Sequence, residues 1–258
     1  MEVRVEEISK TYRRGPHTVV AVEGVSFGVR DGEFVALLGP SGCGKSTLLL
    51  IVGGLLPPSS GRVEFGGAPR GRPVTAMVFQ DFALFPWRTV LHNVAFGLEV
   101  RGVPPRDRLD RARKLIRTVG LDGFEDKYPR ELSGGMRQRV GMARAFAIDP
   151  AVLLMDEPLS ALDAQTRDLM QEELLRLCER PGRTVLYVTH NIQEAAYLAD
   201  RVVLLSRRPG RVRAVLPVPL GRPREEAMQA TPSFVEFTRE IWAMIKDEAR
   251  AAMVEETA

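Results

Sequence analysis

The sequence predicts an α/β fold: a mostly parallel sheet covered by helices, an antiparallel β subdomain and an inserted helical subdomain. Three observations predict it. Short apolar runs of buried-strand type recur as "EFVALLG" (33–39), "AVLLMDEP" (151–158), "RTVLYVTH" (183–190) and "DRVVLLS" (200–206), with helical stretches at 164–180 and 191–199 between the later ones. Apolar strands alternating with helices imply a parallel sheet buried on both faces. Residues 2–8 and 19–30 instead alternate apolar and polar, as strands of an antiparallel edge do. A helical stretch, 90–148, then separates the fifth strand from the sixth and reads as a separate helical subdomain.

The remaining elements follow in order. The strand 33–39 runs into a Gly-rich loop, and a helix is expected from about Lys45 to Leu56, stopped by Pro57-Pro58. "GRVEFGG" and "VTAMVFQ" are two more strands. Residues 90–119 read as helical with a break at Pro104-Pro105, and a further helix starts at Ser133 and runs to about Ile148. After the Pro-rich "VLPVPLGRPREE", Thr231 is placed to cap a helix with Pro232 at its first position. Phe234, Phe237, Ile241 and Ile245 form an apolar stripe on it, to pack on the domain or on a partner. The expected organisation is one domain over 1–220 and a helical tail over 221–258.

Composition narrows the function classes. At 258 residues the chain can bury a substantial core, and 45% hydrophobic with 27% charged residues is ordinary for a globular protein. The net charge is only +3. Basic residues cluster at Arg13-Arg14 and from Arg106 to Lys114, but acids are interleaved in the second, so solvated faces are expected and no nucleic-acid partner. Two cysteines, Cys43 and Cys178, without metal-type spacing, fit a reducing cytosol. The start "MEVRVEEISK" is charged and alternating, unlike a secretory signal. The longest apolar run, from Leu48, holds nine residues before its prolines, about half of the ~20 that span a bilayer. Work at a membrane would need other chains to do the spanning.

The chemistry is concentrated in a few motifs. "GPSGCGKST" fits the G-x-x-x-x-G-K-[ST] phosphate loop, through Gly39, Pro40, Ser41, Gly42, Cys43, Gly44, Lys45, Ser46 and Thr47. Its glycines let successive backbone N–H groups turn toward phosphate oxygens. Lys45 adds a point charge on the β- and γ-phosphates, and Ser46 offers a hydroxyl to Mg²⁺. "AVLLMDEP" ends a buried strand in Asp156, placed to hold Mg²⁺ directly or through a water. Glu157, one residue on, is placed to polarise a water attacking the γ-phosphate. "LSGGMRQRV" (132–140) opens a second helix on Ser133, Gly134 and Gly135, which is again an anion site in kind. One domain would thus carry two phosphate elements.

These motifs, in this order, resemble the ATP-hydrolysing subunits of ABC transporters, from about residue 3 to 215. The resemblance implies a P-loop NTPase core, ATP and Mg²⁺ as ligands, and a role for each matching residue. "LSGGMRQRV" matches the family signature, with Ser133, Gly134, Gly135 and Gln138 toward nucleotide. Tyr12 matches the aromatic stacked on adenine. Gln80, in "VFQDFALFPW", matches the glutamine that reaches Mg²⁺ and the attacking water. "SALD" from Ser160 to Asp163 matches the loop crossing a dimer interface, and His190 the switch histidine on the γ-phosphate. The catalytic set is then Glu157, His190 and Gln80, and the Mg²⁺ set Ser46, Gln80 and Asp156.

The resemblance also accounts for the two phosphate elements. In this family two domains associate head to tail, and the Ser133–Gly135 helix start of one faces the phosphate loop of the other. ATP binding is then expressed as closure between two copies. Integral membrane permease subunits are the implied partners, with the chain cytoplasmic and peripheral on the inner face of the membrane. "FQDFALFPWRTVLHNVAFGLEVRG" and "LSRRPGRV" resemble the nitrate, sulfonate, taurine and bicarbonate importer group, which works with an external solute-binding protein. An exporter ATPase and a soluble, non-transport ABC ATPase are the alternatives.

Two further expectations attach to single residues. Cys43 lies beside Lys45 and a helix start, both of which favour a thiolate, so it is expected to react faster than Cys178. Phe82, Leu84, Phe85 and Trp87 form an aromatic-rich cluster after Gln80, expected either to meet the permease or to fill an internal seam.

Overall fold

The structure is a computed structural model that describes residues 1–15, 17–67, 71, 73–178 and 183–255, with side chains for all of these except 14 and 247–255. They form two compact units, one of Met1–Gly67 with the chain from Thr184 onward, the other of Ala68–Arg183.

In the first unit, β1 (Glu2–Arg14) lies between β2 (His17–Val29) and β4 (Ser60–Gly66) in an antiparallel sheet. Both β1 and β2 are longer than their alternating stretches. The ladder continues to Arg14 opposite His17, so backbone pairing carries the hairpin beyond the residues that bury a face. Val3 and Val5 of β1 are buried, as the alternation requires, and a register shift between Val5 and Ile8, with Glu7 at φ +50°, then carries Ile8 to the buried face. A second group of strands has β3 (Phe34–Leu38) paired in parallel with β7 (Thr184–Thr189) and with β8 (Arg201–Leu205); β9 (Val212–Pro217) returns antiparallel on β8. All five residues of β3 and all six of β7 are buried, the mark of parallel strands covered on both faces.

Helix α1 (Lys45–Val52) stops short of Leu56. Gly53 caps it, and Gly54 turns to φ +71°, so the glycine pair ends the helix before the prolines. The unit also contains α6 (Ile192–Leu198) and the tail helix α7 (Pro232–Glu255). Pro232 is the first residue of α7, and the Thr231 hydroxyl accepts from the Phe234 N–H. Phe234, Phe237, Ile241 and Ile245 are all buried.

In the second unit, β5 (Thr75–Val78) and β6 (Val152–Asp156) pair in parallel. Helices α2 (Val90–Val100), α3 (Pro105–Thr118) and α4 (Gly134–Ala147) share this unit with them and with α5 (Ala164–Cys178). Pro104 and Pro105 break the helical run where expected: Pro104 is the cap and Pro105 the first residue of α3. No helix among the described residues is long and apolar enough to cross a membrane.

Candidate nucleotide site

The phosphate loop lies between the end of β3 and the start of α1. Gly44 is the helix cap, with φ +100° and no side-chain hydrogen bond to the helix N–H groups. The first turn of α1 carries no acid. A helix start of this kind, with its dipole, favours an anion. Only glycine serves at 44: a Cβ there would stand 2.5 Å from Val22 Cγ1 and 2.8 Å from the Ala21 carbonyl oxygen.

Lys45 is 5% exposed, and its ammonium donates to the carbonyls of Gly39 (2.7 Å) and Pro40 (2.9 Å). The charge is therefore held inside the loop. The Tyr12 ring is 42% exposed on β1, with its hydroxyl 3.4 Å from the Thr47 hydroxyl. That places a half-open aromatic beside the helix that follows the loop. Cys43 is 1% exposed, which overturns the expectation of a fast-reacting thiol. Its neighbours include the turn between β8 and β9, where a Cβ on Gly210 would lie 2.1 Å from the Cys43 carbonyl oxygen.

His190 follows the last residue of β7, and its side chain is exposed. Leu38 is opposite Thr189 in the parallel register, so His190 and the phosphate loop leave the same end of adjoining strands. Buried Glu194 fixes the backbone around it. Its carboxylate accepts from the Tyr187 hydroxyl (2.8 Å) and from the Thr189 hydroxyl, while the Asn191 N–H donates to Thr189 Oγ1 (3.0 Å).

The other candidates belong to the second unit. Val78 pairs with Met155, so exposed Gln80 and half-buried Glu157 emerge from one end of the β5–β6 pair. Asp156 is buried as the last residue of β6. Glu157 takes φ +46°, a left-handed backbone that costs a non-glycine residue about 1–3 kcal/mol and recurs at functional sites.

Ser133 caps α4, its hydroxyl accepting from the Met136 N–H at 3.2 Å. Gly134 has open space where a Cβ would be, and Gly135 approaches the Leu162 side chain and the Ala161 carbonyl. The signature helix start and the SALD segment are thereby neighbours. Asp163 caps α5 through the Thr166 N–H at 2.9 Å, and that bond holds its carboxyl below the usual carboxylate range. Gln138 is 1% exposed within the helix packing, and neither amide atom of its side chain has a hydrogen-bond partner.

The aromatic cluster divides. Phe85 is half-buried and packs on Phe96, with ring centroids 4.5 Å apart, under the Arg88 and Arg144 guanidiniums. Trp87 is 72% exposed. Two residues absent from the sequence-based set hold this loop. Buried Asn93 accepts from the Phe85 N–H (2.8 Å) and donates to the Phe85, Arg88 and Thr89 carbonyls, and Arg144 donates to the Phe82 and Ala83 carbonyls. Asn93 was legible as a lone polar residue on the apolar face of α2.

The profile of the ABC transporter family matches residues 22–160, more than half of the chain. This chain belongs to the ABC transporter family. An uncharacterized ABC transporter ATP-binding protein of Methanocaldococcus jannaschii is 46% identical over 250 residues, 96% of this chain and 92% of the relative. A taurine import ATP-binding protein, TauB, of Burkholderia pseudomallei is 51% identical over 209 residues, 80% of each. A solved ATP-binding cassette, dimeric in a post-hydrolysis state with ADP and Pi bound, superposes with a TM-score of 0.77 at 32% identity, covering 85% of this chain and all of that one. The fold is accordingly that of the P-loop NTPases, and this ABC transporter subunit is an ATPase.

Proposed function

We propose that this ABC ATPase powers import of a small sulfonate, of which taurine is the model, through membrane permease subunits that receive solute from an external binding protein. The observation that carries this reading is the 51% identity to a taurine import ATP-binding protein across four-fifths of both chains. The chain acts as a peripheral protein on the cytoplasmic face of the membrane and closes head to tail with a second copy.

In this reading the loop N–H groups and Lys45 hold the β- and γ-phosphates, Tyr12 stacks on adenine, and Ser133–Gly135 of the second copy meet the γ-phosphate. Glu157 takes a proton from the attacking water as the new P–O bond forms and the bond to the β-phosphate oxygen breaks. His190 contacts the γ-phosphate and Gln80 orients the water. Ser46, Gln80 and Asp156 would hold Mg²⁺, which neutralises developing phosphate charge. A hydroxyl, an amide and a carboxylate are the hard oxygen donors that Mg²⁺ takes alongside phosphates and waters. Among the described residues no group of three or more His, Cys, Asp or Glu is gathered to hold a metal, and this donor set requires none.

The test is the chain co-purified with its permease in vesicles carrying the binding protein. Taurine or a short alkylsulfonate should stimulate ATP hydrolysis. Stimulation by none of the sulfonates, with stimulation by an unrelated solute class, would contradict the assignment.

A further inference from the structure

The turn between β8 and β9, Ser206–Arg211, rests on the phosphate loop, and its contacts are specific. The Gly210 N–H donates to the Ala21 carbonyl (2.9 Å), and the Gly210 carbonyl accepts from the Glu23 N–H (3.0 Å). Ser206 Oγ accepts from the Arg211 N–H (3.0 Å), and Arg211 pairs with Glu23 at 2.7 Å. These bonds fix the turn without Arg208. Arg208 is exposed, yet its Nε donates to the Gly42 carbonyl at 3.3 Å, and its Nη2 stands 3.2 Å from where a Gly42 Cβ would be.

In a loop whose N–H groups converge on an anion, carbonyls point the other way. A guanidinium bonded to the Gly42 carbonyl steadies that peptide plane, whose Cys43 N–H donates across the loop to the Pro40 carbonyl (3.3 Å), and brings a positive charge to the loop. We propose that Arg208 is a positioning residue that sets nucleotide affinity through the Gly42 carbonyl. The inference rests on the reading of this loop as the ATP site. It concerns ATP and ADP alike, since both present a β-phosphate to the loop.

The experiment titrates a fluorescent ATP and a fluorescent ADP, with Mg²⁺, against the full chain as wild type, Arg208→Ala, Arg208→Lys and Lys45→Ala. Arg208 is solvent-exposed, so the expected effect is modest: Arg208→Ala raises both Kd values about fivefold, as one screened charge-assisted hydrogen bond would. KM for ATP rises with them, while kcat at saturating ATP stays within about twofold, a split typical of lost uniform binding. Arg208→Lys, which keeps a donor and the charge, recovers most of the affinity. Unchanged Kd values in Arg208→Ala would overturn the inference. So would an affinity loss matched by a fall in nucleotide-free melting temperature, which would mean that Arg208 serves only to fold the turn. If instead wild type binds no ATP, or Lys45→Ala binds it equally well, the ATP reading of the loop fails first.

Discussion

Replacing Gly44 by alanine should disable the phosphate loop while leaving most of the fold intact. Gly44 sits at φ +100°, outside the range that L-residues adopt without strain, which costs about 1–2 kcal/mol. The new Cβ would lie 2.5 Å from Val22 Cγ1, where carbon–carbon contacts settle at about 3.5–4.0 Å. Val22 is fully buried on β2 and cannot swing into solvent. The loop must therefore retreat by ~1 Å, and overpacking of this kind adds about 1–3 kcal/mol. The sum is about 2–5 kcal/mol, read by urea unfolding without nucleotide. A ~1 Å displacement of the groups that position a reacting phosphate costs on the order of 10²-fold in kcat/KM. Gly32→Ala is the control, because φ there is +73° but nothing lies within 4 Å of the added Cβ. It should lose about 1–2 kcal/mol of stability and keep its ATPase activity. A Gly44→Ala protein with kcat/KM within about threefold of wild type would refute the placement of phosphates on these N–H groups.

Two further outcomes follow from burial. A maleimide reagent should label half-exposed Cys178 before buried Cys43, read by peptide mass with and without Mg-ATP; faster labelling of Cys43 would contradict its burial. Trp87→Ala should weaken stimulation of ATP hydrolysis by the permease and leave the basal rate alone, because its ring is exposed. An equal loss of both rates would assign Trp87 to internal packing, where Phe85 already lies.

What could be read in advance was local. The β3–loop–α1 sequence is legible because every requirement falls within about twenty consecutive residues: an apolar run, glycines at the turn, then a helix. The α4 start is legible for the same reason, with Ser133 as cap and glycines behind it. Gln138 is buried, and helix geometry alone makes that legible. It precedes Gly141 and Met142, both buried, by three and four residues, so a 3.6-residue period puts it on the inner face. Cys43 and Arg208 were illegible for another reason. The turn that approaches the backbone of one and carries the other arrives from more than 160 residues away, and no local pattern encodes that approach. Phe85 and Trp87 look alike in sequence, and only the position of Phe96 and the Asn93 clamp separates the packed ring from the exposed one.

The account stands on ATP acting as the link between two copies of this chain, and sedimentation velocity of Glu157→Gln tests it most directly. That substitution keeps the shape of the side chain and removes the base, which should slow hydrolysis on the order of 10²–10⁴-fold and let the ATP-bound state accumulate. With saturating Mg-ATP the variant should sediment at twice the mass of one chain, and with Mg-ADP as a single chain. Adding Ser133→Arg, which places a bulky cation at the α4 start, should abolish the ATP-dependent dimer while nucleotide still binds. A Glu157→Gln chain that binds ATP to saturation and remains a monomer would contradict the head-to-tail account.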